Sequence, residues 1–219
     1  NETVIDDRIM DSSGSFVHQT IFSGDLLGND ASDIASGDLL THASRADNAY
    51  SVVTIMDIAQ EITVDGLYIT GGNSNVSEIP SGSAHPISSG GGIHFDDNNG
   101  TDGRLILANV TISGNSADYG GGIYQYNGTS TLQNVIISGN TARNTYSTLT
   151  TYGGGGIYQR HGSTTLKNVL IAENSAYAGG GFHQYSGSSS LTNVTIVENS
   201  ATRDGGGYGL LYGNSTLTN

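Results

Sequence analysis

The feature that most constrains this chain is a repeat of about 25 residues in its second half. Each unit begins with a run of glycines and a large apolar or aromatic residue, and the runs start at Gly90, Gly120, Gly153, Gly179 and Gly205. A leucine and then an asparagine follow in every unit, and the first four units continue with a strand of Val-x-Ile type and a second asparagine. One unit is too short to bury an apolar face by itself. The repeat therefore predicts a stack of coils that share one core.

The length of the unit predicts three short strands and three turns, because a strand residue advances about 3.3 Å. We expect equivalent side chains to lie on top of one another, with Ile123 on Ile157 and Ile157 on Phe182. Both Leu105 and Leu107 fit the leucine position of the first unit. The predicted fold is all-β, a parallel β-helix. We assign residues 1–50 to one or more N-terminal coils with an acidic excursion, and residues 51–219 to regular coils.

The two asparagines of each unit predict two structural ladders. Asparagine tolerates left-handed backbone at a sharp corner, and stacked amides can hydrogen-bond from coil to coil. We expect the first ladder to be internal, and we align Asn73 with the second. The first ladder comprises Asn109, Asn134, Asn168 and Asn193, and the second comprises Asn115, Asn140, Asn174 and Asn199.

The charge of the chain excludes some functions. The formal net charge is −13, and there is no cysteine. Without a basic patch a nucleic-acid partner is disfavoured, and without cysteine there is neither a disulfide scaffold nor a thiolate metal site. We find no apolar run long enough to insert this segment into a membrane. An acidic chain without cysteine is typical of an extracellular or cell-surface location.

Two acidic clusters are candidate Ca²⁺ sites, because Ca²⁺ prefers six to eight oxygen ligands. The alternative is that both clusters are solvated loops. The first cluster consists of Asp25, Asn29, Asp30, Asp33 and Asp38, whose mutual repulsion favours a counterion. The second consists of Asp96, Asp97 and Asp102.

A row of rings is a candidate glycan-binding surface. His94, Tyr124, Tyr158 and His183 each follow the inward-pointing residue of their coil, so we expect them to point outward. Exposed aromatic faces suit sugar rings, whereas the alternative is simple stacking between coils. Tyr126, Arg160 and Tyr185 lie two residues further on and are expected to face the same way.

Two excursions interrupt the repeat, at Thr141 to Gly153 and at Ser74 to Ser89. We expect them to leave the stack at one shared corner, and this side is a candidate partner surface.

Asn-x-Ser/Thr motifs in turns give four candidate glycosylation sites, Asn75, Asn99, Asn127 and Asn214.

Catalytic residues are not predicted. Glu173 and Glu198 occupy equivalent corners of adjacent coils, at a separation that suits a retaining glycosidase. Other coils carry Gly114 and Gly139 at this corner, which favours two ordinary surface acids.

The segment NVTISGNSADYGGGIYQYNGTSTLQNVIISGNTA (109–142) resembles the right-handed parallel β-helix repeats of bacterial cell-surface proteins of the polymorphic outer-membrane protein type. The resemblance implies a secreted or surface-anchored protein and a non-enzymatic adhesin, stalk or filament-forming module. The alternative is a carbohydrate-active β-helix, a polysaccharide lyase or hydrolase or a glycan-binding module. We expect the C-terminal end of the stack to be uncapped, which would permit head-to-tail self-association.

Overall fold

A computed structural model describes residues 20–35, 38–74, 88–143 and 153–219. It contains a 3₁₀ turn at Ala43–Arg45, and Asp38 also has 3₁₀ conformation. The strands are, in chain order, β1 (Thr20–Ser23), β2 (Val53–Met56), β3 (Glu61–Asp65), β4 (Leu67–Thr70), β5 (Asn73–Ser74), β6 (Ile93–Asp96), β7 (Arg104–Ala108), β8 (Thr111–Ser113), β9 (Ser116–Ala117), β10 (Ile123–Tyr126) and β11 (Thr129–Gln133). They continue as β12 (Ile136–Ser138), β13 (Thr141–Ala142), β14 (Ile157–Gln159), β15 (Ser163–Ala172), β16 (Ser175–Ala178), β17 (Phe182–Gln184), β18 (Ser188–Val197), β19 (Ser200–Asp204), β20 (Tyr208–Leu210) and β21 (Asn214–Thr218).

The strands form four rows along the stack, and every pairing between described strands is parallel. The first row has the order β2-β6-β10-β14-β17-β20 and the second β3-β7-β11-β15-β18-β21. The third begins β1-β4-β8-β12 and continues in the second halves of β15 and β18, while the fourth has the order β5-β9-β13-β16-β19. This confirms the parallel β-helix. The short fourth row is an addition to the three predicted strands of each coil.

The apolar core is a set of stacked columns. In the first row Ile93, Ile123, Ile157 and Phe182 are in register and are no more than 3% exposed. In the second row Leu107, rather than Leu105, is the counterpart of Leu132. Since each fully buried side chain of this size contributes about 1.5–3 kcal/mol, these columns supply the main driving force for stacking.

The second asparagine ladder lies inside the coil and is fully hydrogen-bonded. The Oδ1 atom of Asn140 accepts from the backbone N–H of Asn115 and from its Nδ2, both at 3.0 Å. The Nδ2 of Asn140 donates to the backbone oxygens of Ile112 and Ser138 and to Oδ1 of Asn174. Asn174 repeats the pattern with Asn199. Each amide thus satisfies buried backbone groups of its own coil and of its neighbours.

The first asparagine ladder lies on the outside, so its predicted internal position was wrong. The four residues have φ of 52–55°, which confirms the left-handed corner. Their amides also connect successive coils at 3.2–3.3 Å, but all four residues are exposed. At these corners Val110, Val135 and Val169 occupy the interior instead, and the amide is turned to solvent.

The alignment of Asn73 with the second ladder was also wrong. Asn73 pairs with Ser116, one position beyond the ladder. Gly72 takes the ladder position, and its N–H donates to Oδ1 of Asn115 at 3.0 Å. The carbonyl of Gly72 accepts from the buried Arg45 guanidinium at 2.7 Å. The inner ladder therefore has no asparagine in this first coil, and the side chain of Arg45 hydrogen-bonds to the backbone at that position.

A third polar column, of glutamines, was not predicted. Gln125, Gln159 and Gln184 are in register and no more than 1% exposed. The Nε2 of Gln125 donates to the carbonyl of Gly128 in its own turn and to that of Ser163 in the next coil. The signal in the sequence is a glutamine two residues after the first inward side chain of each of these coils, where a core residue is expected.

The glycine clusters allow backbones to approach closely. A Cβ built on Gly122 would lie 2.6 Å from the carbonyl oxygen of Gly156 in the next coil. Gly139 differs, because it has φ of 62° but no atom within 4 Å of such a Cβ. Gly122 is required by space, whereas Gly139 is favoured by its backbone conformation alone.

The asparagine ladders predict a contrast between Asn140→Ala and Asn134→Gly. Removing the buried Asn140 amide leaves several backbone groups unpaired, and we expect a loss of about 3 kcal/mol or more in the free energy of unfolding. Asn134→Gly keeps the left-handed corner and removes an exposed amide, so we expect about 1 kcal/mol or less. Guanidinium denaturation followed by circular dichroism measures both, and equal losses would contradict the assignment of the inner ladder.

The glycines predict a second contrast. Gly122→Ala forces two coils apart and should lower the free energy of unfolding by about 3 kcal/mol. Gly139→Ala adds only backbone strain, which costs about 1–2 kcal/mol. Thermal and chemical denaturation of the two variants tests this order, and a larger effect at Gly139 would be incompatible with it.

Candidate functional site

The predicted glycan-binding row is buried, so the prediction that it is exposed was wrong. His94, Tyr124, Tyr158 and His183 are in register, as expected, but their exposure is only 6%, 0%, 1% and 5%. The ring centroids are 5.2 Å apart for His94 and Tyr124 and 5.7 Å apart for Tyr124 and Tyr158. The row stacks between coils and has no free face for a sugar.

The chain that precedes each strand of the first row covers this buried row. Tyr119 packs on Tyr158 with a centroid distance of 6.3 Å. Gly120 comes so near Tyr124 that a Cβ would lie 2.9 Å from the Tyr124 Cα. Burial raises the pKa of Tyr124 above its usual value, although the Arg160 guanidinium opposes this rise. Burial likewise lowers the pKa of His183. The alternation of inward and outward residues along a strand does not predict that another segment of the chain covers the outward ones.

A second row of rings, which we call the outer aromatic row, lies at the turn between the first and second rows of strands. It consists of Tyr126, His161, Tyr185 and Tyr212, with centroid distances of 5.4, 6.1 and 5.5 Å between successive rings. The first three are half-buried and Tyr212 is 61% exposed. Neighbouring rings meet edge to face, a favourable arrangement for aromatic pairs.

Arg160 adds positive charge to the outer aromatic row. Its guanidinium carbon lies 5.0 Å from the centroid of the Tyr126 ring, within the range of a cation–π contact. The pKa of His161 is lowered by burial and by Arg160. The uncharged imidazole is therefore favoured between the two tyrosines that it contacts, Tyr126 and Tyr185.

Ser89, His94 and Asp96 form a cluster that the sequence analysis did not find. Ser89 Oγ lies 3.0 Å from Nδ1 of His94, and Nε2 of His94 lies 3.8 Å from Oδ2 of Asp96. The same Nδ1 lies 3.1 Å from the carbonyl oxygen of Ser89. Ser89 is completely buried, so a substrate carbonyl cannot reach its hydroxyl in this structure. The cluster fixes the His94 ring rather than presenting a nucleophile.

The carboxylates of the second acidic cluster organise a turn. Asp97 accepts from the N–H of Thr101 at 3.1 Å and of Gly103 at 3.0 Å, and Asp96 accepts from the N–H of Asn98 at 2.9 Å. Both aspartates are almost completely buried, whereas Asp102 is exposed and has a left-handed backbone. These hydrogen bonds explain the presence of acids here without an ion.

The first acidic cluster is likewise engaged with its own loop. Asp25 accepts from the N–H groups of Gly28, Asn29 and Asp30, which lowers its pKa. Asp30 accepts from Asn48, and the buried Arg45 interacts electrostatically with both Asp30 and Asp25. Arg45 thus places a positive charge near these carboxylates.

A bound metal is not required by either cluster. Within the described ranges, no group of three or more histidine or acidic side chains could hold a metal ion. Asp33 and Asp38 are exposed. Ca²⁺ binding stays a prediction, as does the division of the chain at residue 50.

Glu173 and Glu198 occupy exposed corners with φ of 56° and 55°, where Gly114 and Gly139 have φ of 65° and 62°. This agrees with two surface acids at a turn.

Of the candidate glycosylation sites, Asn99 and Asn214 are exposed and Asn127 is half-buried, whereas Asn75 lies outside the described residues. Glycosylation stays a prediction.

The two excursions leave the stack at one corner, as expected. Ser74 pairs with Ala117, and Ala117 pairs with Ala142, so the described ends of both excursions occupy the same register position of the fourth row. Most of each excursion, 75–87 and 144–152, lies outside the described residues.

Comparison with known proteins gives one family. A model of the Chlamydia polymorphic membrane protein repeat matches residues 109–125 and 134–160. Searches of curated proteins and of solved structures gave no match. In the described part of the chain, no helix has the length and hydrophobicity to cross a bilayer.

The two matched segments cover the same structural unit in successive coils. Each begins at an outer corner asparagine, Asn109 or Asn134, and contains the inner asparagine that follows it. Each also contains a glycine cluster and extends into the first row of strands, the first ending within the strand that begins at Ile123 and the second just after the strand that begins at Ile157. The chain is therefore a parallel β-helix in which two successive segments match the repeat of the Chlamydia polymorphic membrane protein.

Proposed function

We propose that this chain is an adhesive module of a bacterial cell surface, in which the stack is a rigid support and one lateral face makes the contact. The matched family is associated with the bacterial outer membrane and surface, which supports this location. Adhesion requires no catalytic group. The cluster of Ser89, His94 and Asp96, which combines a hydroxyl, an imidazole and a carboxylate, is buried.

The support is rigid because three kinds of side-chain column connect successive coils. The apolar columns and the inner asparagines contact the coil before and the coil after, and the glutamines connect the successive coils of Gln125, Gln159 and Gln184. Parallel strands lie about 4.8 Å apart, so equivalent surface residues recur at that interval along the axis. A ligand with a repeating structure can then contact several coils at once.

The observation that carries the proposal is the outer aromatic row. Tyr126, His161, Tyr185 and Tyr212 form a continuous, partly exposed strip along the axis, beside outward-facing Ser and Thr of the second row such as Thr131, Thr165 and Ser190. Aromatic side chains with a polar tip are typical anchors of recognition surfaces. Their rings also suit sugars, so we assign the glycan contact to this row in place of the buried one.

Two further roles belong to the same proposal. The rigidity of the stack also suits the role of a stalk. Head-to-tail self-association into a filament would bring the last coil of one copy against the first coil of another. Neither the stalk nor the filament is needed for adhesion through a lateral face.

A glycan array tests the adhesive role. The fluorescently labelled chain should bind a subset of glycans, and a variant carrying Tyr185→Ala and Tyr212→Ala should bind them at least about tenfold more weakly, because even one aromatic anchor contributes about 1.4 kcal/mol or more. The matched control is Tyr50→Ala, whose side chain is 53% exposed and stands outside the row. Absence of glycan binding by the unaltered chain, or an equal loss in the control, would count against the proposal.

A further inference from the structure

A pocket lies on the outer side of the fourth row, at the corner from which both excursions leave. Its volume is about 190 Å³, and its lining includes Arg143, Ser175, Tyr177 and Thr202. Pockets that enclose a whole drug-sized ligand measure about 300–1,000 Å³. A cavity of this size therefore suits one ring-sized group rather than a large cofactor.

A β-bulge shapes the wall of this pocket. Ala176 pairs with Ala201 but Ala178 pairs with Asp204, so two residues, Thr202 and Arg203, stand opposite the single Tyr177. Arg203 is brought over the ring of Tyr177, with its guanidinium carbon 6.0 Å from the centroid. Bulges commonly re-aim a side chain next to a binding site.

One arginine lines the pocket and a second lies beside it, on a protein that is strongly acidic overall. The chain has seven Lys and Arg residues and a net charge of −13, yet Arg143 lines this pocket and Arg203 lies beside it, over the ring of Tyr177. Arg203 contacts its neighbour Asp204 at 2.9 Å, and both side chains are well exposed. Exposed ion pairs of this kind contribute little to stability and are readily exchanged for another carboxylate.

We propose that this pocket binds a uronic-acid residue of an acidic polysaccharide. The guanidinium groups of Arg143 and Arg203 hold the sugar carboxylate through charge-assisted hydrogen bonds. The Tyr177 ring contacts the apolar face of the sugar, and the hydroxyls of Ser175 and Thr202 are available to its hydroxyl groups. The proposal does not depend on the outer aromatic row, which belongs to a different corner of the coil.

Calorimetry with carboxylated oligosaccharides tests this assignment. The probes are oligogalacturonate, oligomannuronate and hyaluronan fragments, with methyl-esterified oligogalacturonate and polyglutamate as comparison ligands. We expect saturable binding of at least one carboxylated probe, about tenfold weaker binding after Arg143→Gln with Arg203→Gln, and a similar loss after Tyr177→Ala. Lys167→Gln is the matched control, because it removes an exposed cation of the second row and should change affinity less than about twofold.

Each outcome has a defined meaning. No binding of any carboxylated probe, equal binding of the methyl ester, or equal loss in Lys167→Gln overturns the site. Polyglutamate binding as tightly as the sugars overturns the sugar assignment. Circular dichroism of the variants shows whether they retain the β-helix. Retained binding in the Tyr185→Ala, Tyr212→Ala variant separates this pocket from the proposed adhesive row, so failure of one proposal is distinguishable from failure of the other.

Discussion

The hydrogen bonds of the inner asparagines are the interaction on which the rest of this structure depends. A coil of about 25 residues needs sharp corners, and at the corner of the inner asparagines the backbone is buried. The peptide groups at that corner have no partner in a neighbouring strand. The side chains of Asn115, Asn140 and Asn174 supply the missing donors and acceptors, and they link each coil to the next. An apolar residue of similar size would leave those groups unpaired at a cost of about 1–3 kcal/mol each.

The buried columns explain why outward-facing residues can differ from one coil to the next. Apolar columns supply burial, and polar columns satisfy the corners, so little of the stability rests on outward-facing side chains. The turn after the first row can therefore carry Tyr126 in one coil and Arg160 with His161 in the next. The corner after the fourth row can accept long excursions and a β-bulge. Both proposed contact surfaces lie at such corners, where the residues differ between coils while the buried columns stay the same.

The sequence predicts the coil better than it predicts which side of the coil a residue faces. Equal spacing from Ile123 to Leu132 and from Ile157 to Leu166 sets the register, which the strand pairing confirms. The two asparagine series are identical in residue type, and only the packing shows that Asn134 faces solvent while Asn140 is buried. The buried aromatic row depends on close approach by Gly120 and its neighbours, a tertiary contact that a period-two pattern does not encode. The pocket at Tyr177 likewise depends on a bulge between two coils.

Hydrogen exchange of the asparagine side-chain amides, measured by NMR, tests the central claim most directly. The account predicts that the Nδ2 protons of Asn115, Asn140 and Asn174 exchange only when the stack opens, so that they share the protection of core backbone amides such as that of Ile137. The Nδ2 protons of Asn134 and Asn168 should exchange much faster, since both residues are exposed. Fast exchange of the first set, or equal protection of both sets, would contradict the account of a buried, hydrogen-bonded inner ladder.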